Sequence, residues 1–270
     1  MEELRLQAPA KINLHLQVLN KRQDGFHNIS SLFTLIDLCD TLSFKKNKKD
    51  IELIESVPFE NNIVLKAANL IKEYCSVEEG VRIELNKNIP DQKGLGGGSS
   101  DAASTLIGLK KFWGLDISKK ELLDLALQLG SDVPFFVFGK TAWAEGRGEI
   151  LKEFDYKDRF FLLALPEIKI STKYAFNELS RLKEVTPKRP RPKAVEYYNS
   201  FEGWLRKTKP EADNIFKELE SVGVPRLSGT GSAIFMEYEN LNEAKLAKKR
   251  FPELVLTKSL ERSPLMQIIE

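Results

Sequence analysis

Gly94-Leu95-Gly96-Gly97-Gly98-Ser99-Ser100-Asp101 is the stretch on which the fold of this chain turns. It follows a run that alternates as a strand, with Val81, Ile83 and Leu85 on one side, and it opens a helical run reaching about Trp113. Glycine lacks a Cβ, so its backbone N–H can approach an anion closely and φ can turn positive. Ser99 and Ser100 add hydroxyl donors, and the helix that follows aims its positive N-terminal end back at the loop. Strand, loop and helix together predict a phosphate cradle. No Gly-Lys-Ser/Thr closes it as in a Walker loop, and no parallel strand–helix–strand frame surrounds it as in a dinucleotide fold. The plain alternative is a helix start with close backbone packing.

Outward from the loop, the chain reads as mixed strands and helices. Residues 4–19 and 30–44 read as extended, with a turn at Asp24-Gly25 between them. Residues 51–54 form a short strand. Val64, Ala67, Ala68 and Ile71 recur at helical spacing over 63–74. After the loop a second helix starts at Ser118, where Ser118 and Glu121 form a capping box, and Gly130 ends it. Residues 135–138 and 140–144 are apolar and extended or briefly helical. The polar run 154–159 marks a domain boundary, giving domains 1–157 and 158–270. Beyond it, 187–193 is a proline-rich basic loop, 194–205 and 211–222 are helices, 226–238 turns into a strand, 243–250 is a helix and 254–257 a last strand. Without a regular β–α–β alternation, the fold class is α+β.

Lys plus Arg number 41 and Asp plus Glu 39 among 270 residues, a net charge of +2 that argues against nucleic acid as the partner. Cys39 and Cys75 are too few for a disulfide framework, and His15 and His27 too few for a histidine-rich metal site. The start of the chain lacks a basic segment before an apolar run, and its longest apolar stretch, 160–166, is far short of the ~20 residues of a membrane helix. The expectation is a cytoplasmic protein that does not engage a membrane, with thiols that carry no chemistry. The three tryptophans, Trp113, Trp143 and Trp204, are expected in packing.

Three segments resemble the GHMP kinases in order along the chain. Pro9-Ala10-Lys11-Ile12-Asn13-Leu14 resembles their first motif, residues 90–103 their second and Leu227-Ser228-Gly229-Thr230-Gly231-Ser232 their third. Asp24-Gly25-Phe26-His27, Gly130-Ser131-Asp132-Val133-Pro134-Phe135-Phe136 and Ala144-Glu145-Gly146-Arg147-Gly148-Glu149 are similar to a branch of that family whose substrate is an alcohol carrying a cytidine diphosphate group. The resemblance implies a two-domain fold, ribosomal-protein-like in its first half and ferredoxin-like in its second. It also implies an ATP-dependent phosphotransferase using Mg²⁺, active as a monomer or weak homodimer on a small molecule.

Residue by residue, the resemblance makes Lys11 and Asp132 the catalytic pair. Alone, Lys11 reads as a surface strand lysine and Asp132 as a turn or N-cap aspartate. Pro90-Asp91-Gln92-Lys93 and Gly94 through Ser100 (Gly94, Leu95, Gly96, Gly97, Gly98, Ser99, Ser100) are implied to bind ATP. Asn13, Phe26, His27 and Phe176 are implied to bind the acceptor, with Phe26 and Phe176 stacking on the base; a helix-core role for Phe176 stays open. His15, opposite Leu14 and Leu16, is expected to face the substrate. No protein metal ligand is implied. Three positions depart from the family pattern: Phe26 stands where Tyr is usual, Asn199-Ser200 where Asn-Asp is frequent, and Asp101 where Asn is frequent.

Overall fold

The first two strands are the longest elements and form the floor of the molecule. In a computed structural model describing residues 2–56, 62–182 and 197–269, β1 (Glu3–Lys21) pairs antiparallel with β2 (His27–Asn47) across a tight turn at Gly25. Residues 8–18 of β1 are buried without a break, which is why the sequence alternates there only in part. β3 (Ile51–Glu55) and β4 (Gly80–Asn86) extend this sheet on one side, and α1 (Ile63–Tyr74) lies between them in sequence. Asn62 caps α1 by accepting from Val64 N–H.

α2 (Gly97–Trp113) carries ten consecutive buried residues, 100–109, so it is covered on every side by the sheet and by α1, α3 (Lys119–Leu129) and α4 (Val133–Phe138). Gly114 ends α2 in the left-handed conformation, and Ser118 and Glu121 form the predicted capping box of α3. β5 (Ala142–Glu145) pairs with β2 and with β6 (Ile150–Glu153).

The remaining elements are β7 (Phe160–Ala164), α5 (Thr172–Leu182), β8 (Tyr198–Asn199), α6 (Glu202–Thr208), α7 (Pro210–Leu219), β9 (Arg226–Leu227), β10 (Ile234–Tyr238), α8 (Leu241–Arg250), β11 (Val255–Leu260) and α9 (Met266–Ile269). One sheet joins both ends of the chain in the order β3-β4-β2-β11-β7-β10-β9. β11 pairs β2 at Ser259 and Leu260, and β7 at 255–258, so the sheet crosses the boundary expected at 157/158. Only β3–β4 and β1–β8 pair parallel among the described strands, as an α+β architecture requires. No described helix is long and apolar enough to cross a membrane.

Several local expectations change. The predicted helix 194–205 begins outside the described residues and does not cover Tyr198-Asn199, which pair with β1 instead; α6 starts only at Glu202. The Asn199 side chain donates to the carbonyls of Leu227 and Gly229, at 2.9 Å each, and that tertiary contact overrides helical propensity. The basic loop 187–193 also lies outside the described residues. β6, α5 and α9 are elements that periodicity did not reveal. His15, expected to face the substrate, does not line the cavity. β1 carries one extra residue, Leu14, at a register shift between Asn13 and His15, and the bulge reverses the alternation beyond it. His15 is buried between the rings of Trp143 and Tyr198, at 5.2 and 5.9 Å. Leu16 lines the cavity in its place.

Candidate active site

The three motifs that lie far apart in sequence meet at one cavity of about 800 Å³. The glycine loop forms one wall. Gly94 and Gly96 are left-handed, at φ +76° and +73°. A Cβ on Gly94 would come within 2.4 Å of the Ser228 carbonyl oxygen, and one on Gly96 within 2.9 Å of the Phe136 ring. Both positions therefore need glycine for space as well as for φ. The third motif braces the loop: Ser228 Oγ donates to the Gly94 carbonyl at 3.1 Å, and Ala233 N–H donates to that of Lys93 at 3.0 Å. Lys93 itself donates to the Pro166 carbonyl.

α2 begins at this loop with Gly96 as its N-cap, and no side chain caps its first N–H groups. Those donors point at the cavity wall, an arrangement that favours an anion. Ser99 lines the cavity, whereas Ser100 is fully buried and donates its hydroxyl to the Pro9 carbonyl at 2.7 Å, tying α2 to β1.

Lys11 and Asn13 alternate with Ile12 and Leu14 and so turn to the cavity. Lys11 is 3% exposed, which replaces the surface reading of this lysine. Its backbone N–H donates to the Leu95 carbonyl at 2.9 Å, locking the first motif to the second. Its Nζ stands 3.6 Å from Asp132 Oδ2, donates to Asn13 Oδ1 at 2.5 Å and lies 5.3 Å from the centre of the Phe33 ring. Burial holds the Lys11 ammonium below the ordinary lysine value, and Asp132 offsets this only in part. Asp132 occupies the N-cap position of α4 but makes no capping bond. Its carboxylate instead faces Lys11 and the cavity. Asn13 Nδ2 donates to Ser31 Oγ at 3.0 Å, which orients the amide for Lys11.

Aromatic side chains form the opposite wall. Phe26 is 48% exposed at the cavity mouth, and the Arg147 guanidinium lies 4.6 Å from its ring centre. Phe176 is half-buried and packs on Phe201 and on His27, with ring centres at 4.9 and 5.1 Å. Phe176 thus both lines the cavity and anchors α5. His27 is buried, with Nε2 2.7 Å from Ser180 Oγ; burial, with Lys21 nearby, lowers its pKa.

Two groups escaped sequence reasoning. Lys87 lines the cavity beside α2 and is gripped by Asp40 at 2.5 Å and Asp101 at 2.7 Å. Burial alone would lower Lys87, but Asp101 and Asp40 outweigh it and hold the ammonium above its ordinary value. Burial, with Asp40 alongside, pushes the Asp101 carboxyl up to about 7 against the pull of Lys87. Asp40 Oδ1 also accepts from the N–H groups of Asn88 and Ile89. Arg147 is the other: it stands in the segment Ala144-Glu145-Gly146-Arg147-Gly148-Glu149, where the sequence alone assigns it no role. At the Asn199-Ser200 departure from the family pattern, Ser200 Oγ accepts from Val18 N–H at 3.0 Å, so the serine keeps a structural role. Cys39 and Cys75 are free and half-buried, and burial raises both thiols, Cys39 to about 11.

Comparison with known proteins gives the same grouping. The model of the GHMP kinases N terminal domain matches residues 62–140, and that of the GHMP kinases C terminal matches 196–255. The chain is 36% identical to the 4-diphosphocytidyl-2-C-methyl-D-erythritol kinase of Psychromonas ingrahamii over 99% of its own length and 97% of that protein. To the enzyme of the same name from Actinobacillus pleuropneumoniae it is 37% identical, over 99% and 97%. A crystal structure of 4-(cytidine 5'-diphospho)-2C-methyl-D-erythritol kinase superimposes with a TM-score of 0.83 at 31% identity, covering 95% of this chain and 99% of that one.

Proposed function

The chain belongs to the GHMP kinases, among the 4-diphosphocytidyl-2-C-methyl-D-erythritol kinases, and from that membership we propose how its residues transfer a phosphoryl group from ATP to the 2-hydroxyl of that substrate. The observation that carries the proposal is Lys11 Nζ at 3.6 Å from Asp132 Oδ2, between the glycine loop and the aromatic wall.

The glycine loop and the free N–H groups of α2 cradle the β- and γ-phosphates of ATP. Phe26 and Phe176 take the cytosine between them, and Asn13 and His27 lie along the same path. The acceptor hydroxyl then lies at Asp132. Its oxygen bonds to the γ-phosphorus as the bond to the bridging β–γ oxygen breaks, releasing ADP. Asp132 orients the hydroxyl and takes its proton. Lys11 faces the Asp132 carboxylate and steadies the charge growing on the acceptor and equatorial oxygens. Being buried, this cation acts where water screens it little.

Among the described residues no three His, Cys, Asp or Glu side chains gather into a metal cage. Mg²⁺ would come with ATP and would supply neutralisation of the phosphate charge beside the glycine loop and Ser99. The two free thiols and the scattered exposed apolar side chains support a cytoplasmic monomer or weak homodimer.

The test is coupled ADP release from ATP and Mg²⁺ with 4-diphosphocytidyl-2-C-methyl-D-erythritol, mevalonate, homoserine or galactose, with Asp132→Ala alongside. Turnover of the cytidylyl substrate alone, abolished in the variant, is expected. Turnover of another alcohol instead would discard the substrate assignment and keep the kinase.

A further inference from the structure

We propose that Arg147 binds the diphosphate of the acceptor substrate and so makes the site select a nucleoside diphosphate over a bare nucleoside; this rests on the function proposed above. Placement is the first argument. Arg147 lies in the turn between β5 and β6. Its guanidinium stacks 4.6 Å from the centre of the Phe26 ring. Its neighbour Gly148 is backed against the catalytic segment: a Cβ there would stand 3.2 Å from the Ser131 carbonyl oxygen and 3.9 Å from Asp132 Oδ1. Arg147 therefore bridges the base platform and the carboxylate that receives the acceptor hydroxyl. In the substrate, what lies between base and acceptor is a ribose and a diphosphate. The diphosphate has to pass this side chain.

Charge is the second argument. The other cations near the reacting groups are already engaged. Lys11 faces Asp132, Lys87 is held by two carboxylates, Lys93 donates to a backbone carbonyl and Arg22 pairs with Asp24. Among the described residues no carboxylate lies within 4 Å of the Arg147 guanidinium. Lys173 also lines the cavity and forms no ion pair among the described residues, but it is an exposed point charge on α5, with no aromatic face holding it in place. Chemistry is the third. A guanidinium can stay stacked on an aromatic face while its edge offers parallel N–H donors to phosphate oxygens. Phe26 thereby holds the fork in position before substrate arrives.

The experiment is competition by cytidine and by CDP against 4-diphosphocytidyl-2-C-methyl-D-erythritol at saturating ATP and Mg²⁺. Wild type, Arg147→Met, Arg147→Lys and Lys173→Met are compared. The preference for CDP over cytidine is expected to fall about 10- to 100-fold in Arg147→Met, the worth of a charge-assisted pair of hydrogen bonds. Arg147→Lys keeps the charge and should keep much of the preference, and Lys173→Met should keep it all. An unchanged preference in Arg147→Met overturns the proposal. So does equal weakening of cytidine and CDP, which would mean that Arg147 acts only through Phe26, and so does a collapse in Lys173→Met instead. A wild type that turns over none of the cytidylyl substrate overturns the parent function, and this proposal with it.

Discussion

The two walls of the cavity are built on opposite principles. The wall proposed to hold phosphate is assembled on backbone carbonyls: Lys11 N–H on Leu95 and Ala233 N–H on Lys93, with the Ser228 and Ser100 hydroxyls on Gly94 and Pro9, closed over Gly94 and Gly96, which have no room for a Cβ. Behind it lies the buried Lys87–Asp40–Asp101 cluster. The aromatic wall is assembled from side chains at the mouth. Phe26 is half exposed, and its loop is held by the Arg22–Asp24 pair and by Arg147. Exposed ion pairs of that kind are worth ~0–1 kcal/mol. The difference teaches that the end proposed to hold ATP is braced by hydrogen bonds onto backbone and backed by a buried charge cluster. The end proposed to choose the acceptor is held by contacts a single substitution can rearrange.

Removing the charge at the chemical end should give the largest effect. Lys11→Met should lower kcat by about 10²–10³-fold, the range for a lost electrostatic stabiliser of the transition state. Its melting temperature should hold or rise, because Lys11 bears a desolvation cost that a buried methyl thioether does not. A variant that unfolds instead would mean that Lys11 is structural and would erase the contrast between the walls.

The buried cluster should show in pH-dependent stability. Asp101 holds its proton up to about 7 when folded, against an ordinary value of 3.8. Between those values the folded chain binds more protons than the unfolded chain, so this carboxyl makes the fold less stable as pH rises from about 4 to 7, and adds no further slope above. Asp101→Asn should flatten that decline, which we expect to be on the order of 1–3 kcal/mol. Denaturant unfolding of both proteins at pH 5, 6, 7 and 8 measures it, and parallel curves would refute the assignment.

Phe26→Ala should give the smallest of these changes, because the aromatic wall is replaceable. The KM for the cytidylyl substrate should rise roughly tenfold, as for loss of one base–aromatic stack, with the KM for ATP left where it was. A matching rise for ATP would show that the two walls are coupled.

Much of this site was legible in the sequence because its motifs are backbone motifs. A run of glycines after a strand, or a Ser-x-x-Glu before a helix, has few folded solutions, and the loop and the cap of α3 appear where those patterns put them. What the sequence hid was set by tertiary contact. No local pattern marks the unpaired residue at Leu14, yet it decides that Leu16 and not His15 lines the cavity. Lys87 reads as a lysine after a strand until Asp40, 47 residues away, and Asp101 close on it from two sides. Tyr198 and Asn199 sit in a segment with helical composition, but the carbonyls of Leu227 and Gly229 claim the Asn199 amide.

The place of β11 bears on the order in which this protein can be made. It is the last of the described strands to leave the ribosome, yet it lies between β2 and β7. Until residues 255–260 emerge, β7 has an open edge at 160–163, and β2 has a short gap at Leu35 and Ile36 between its partners β5 and β4. The nascent chain therefore carries one sticky edge from the emergence of β7 until β11 closes it and seals the gap in β2 in the same step.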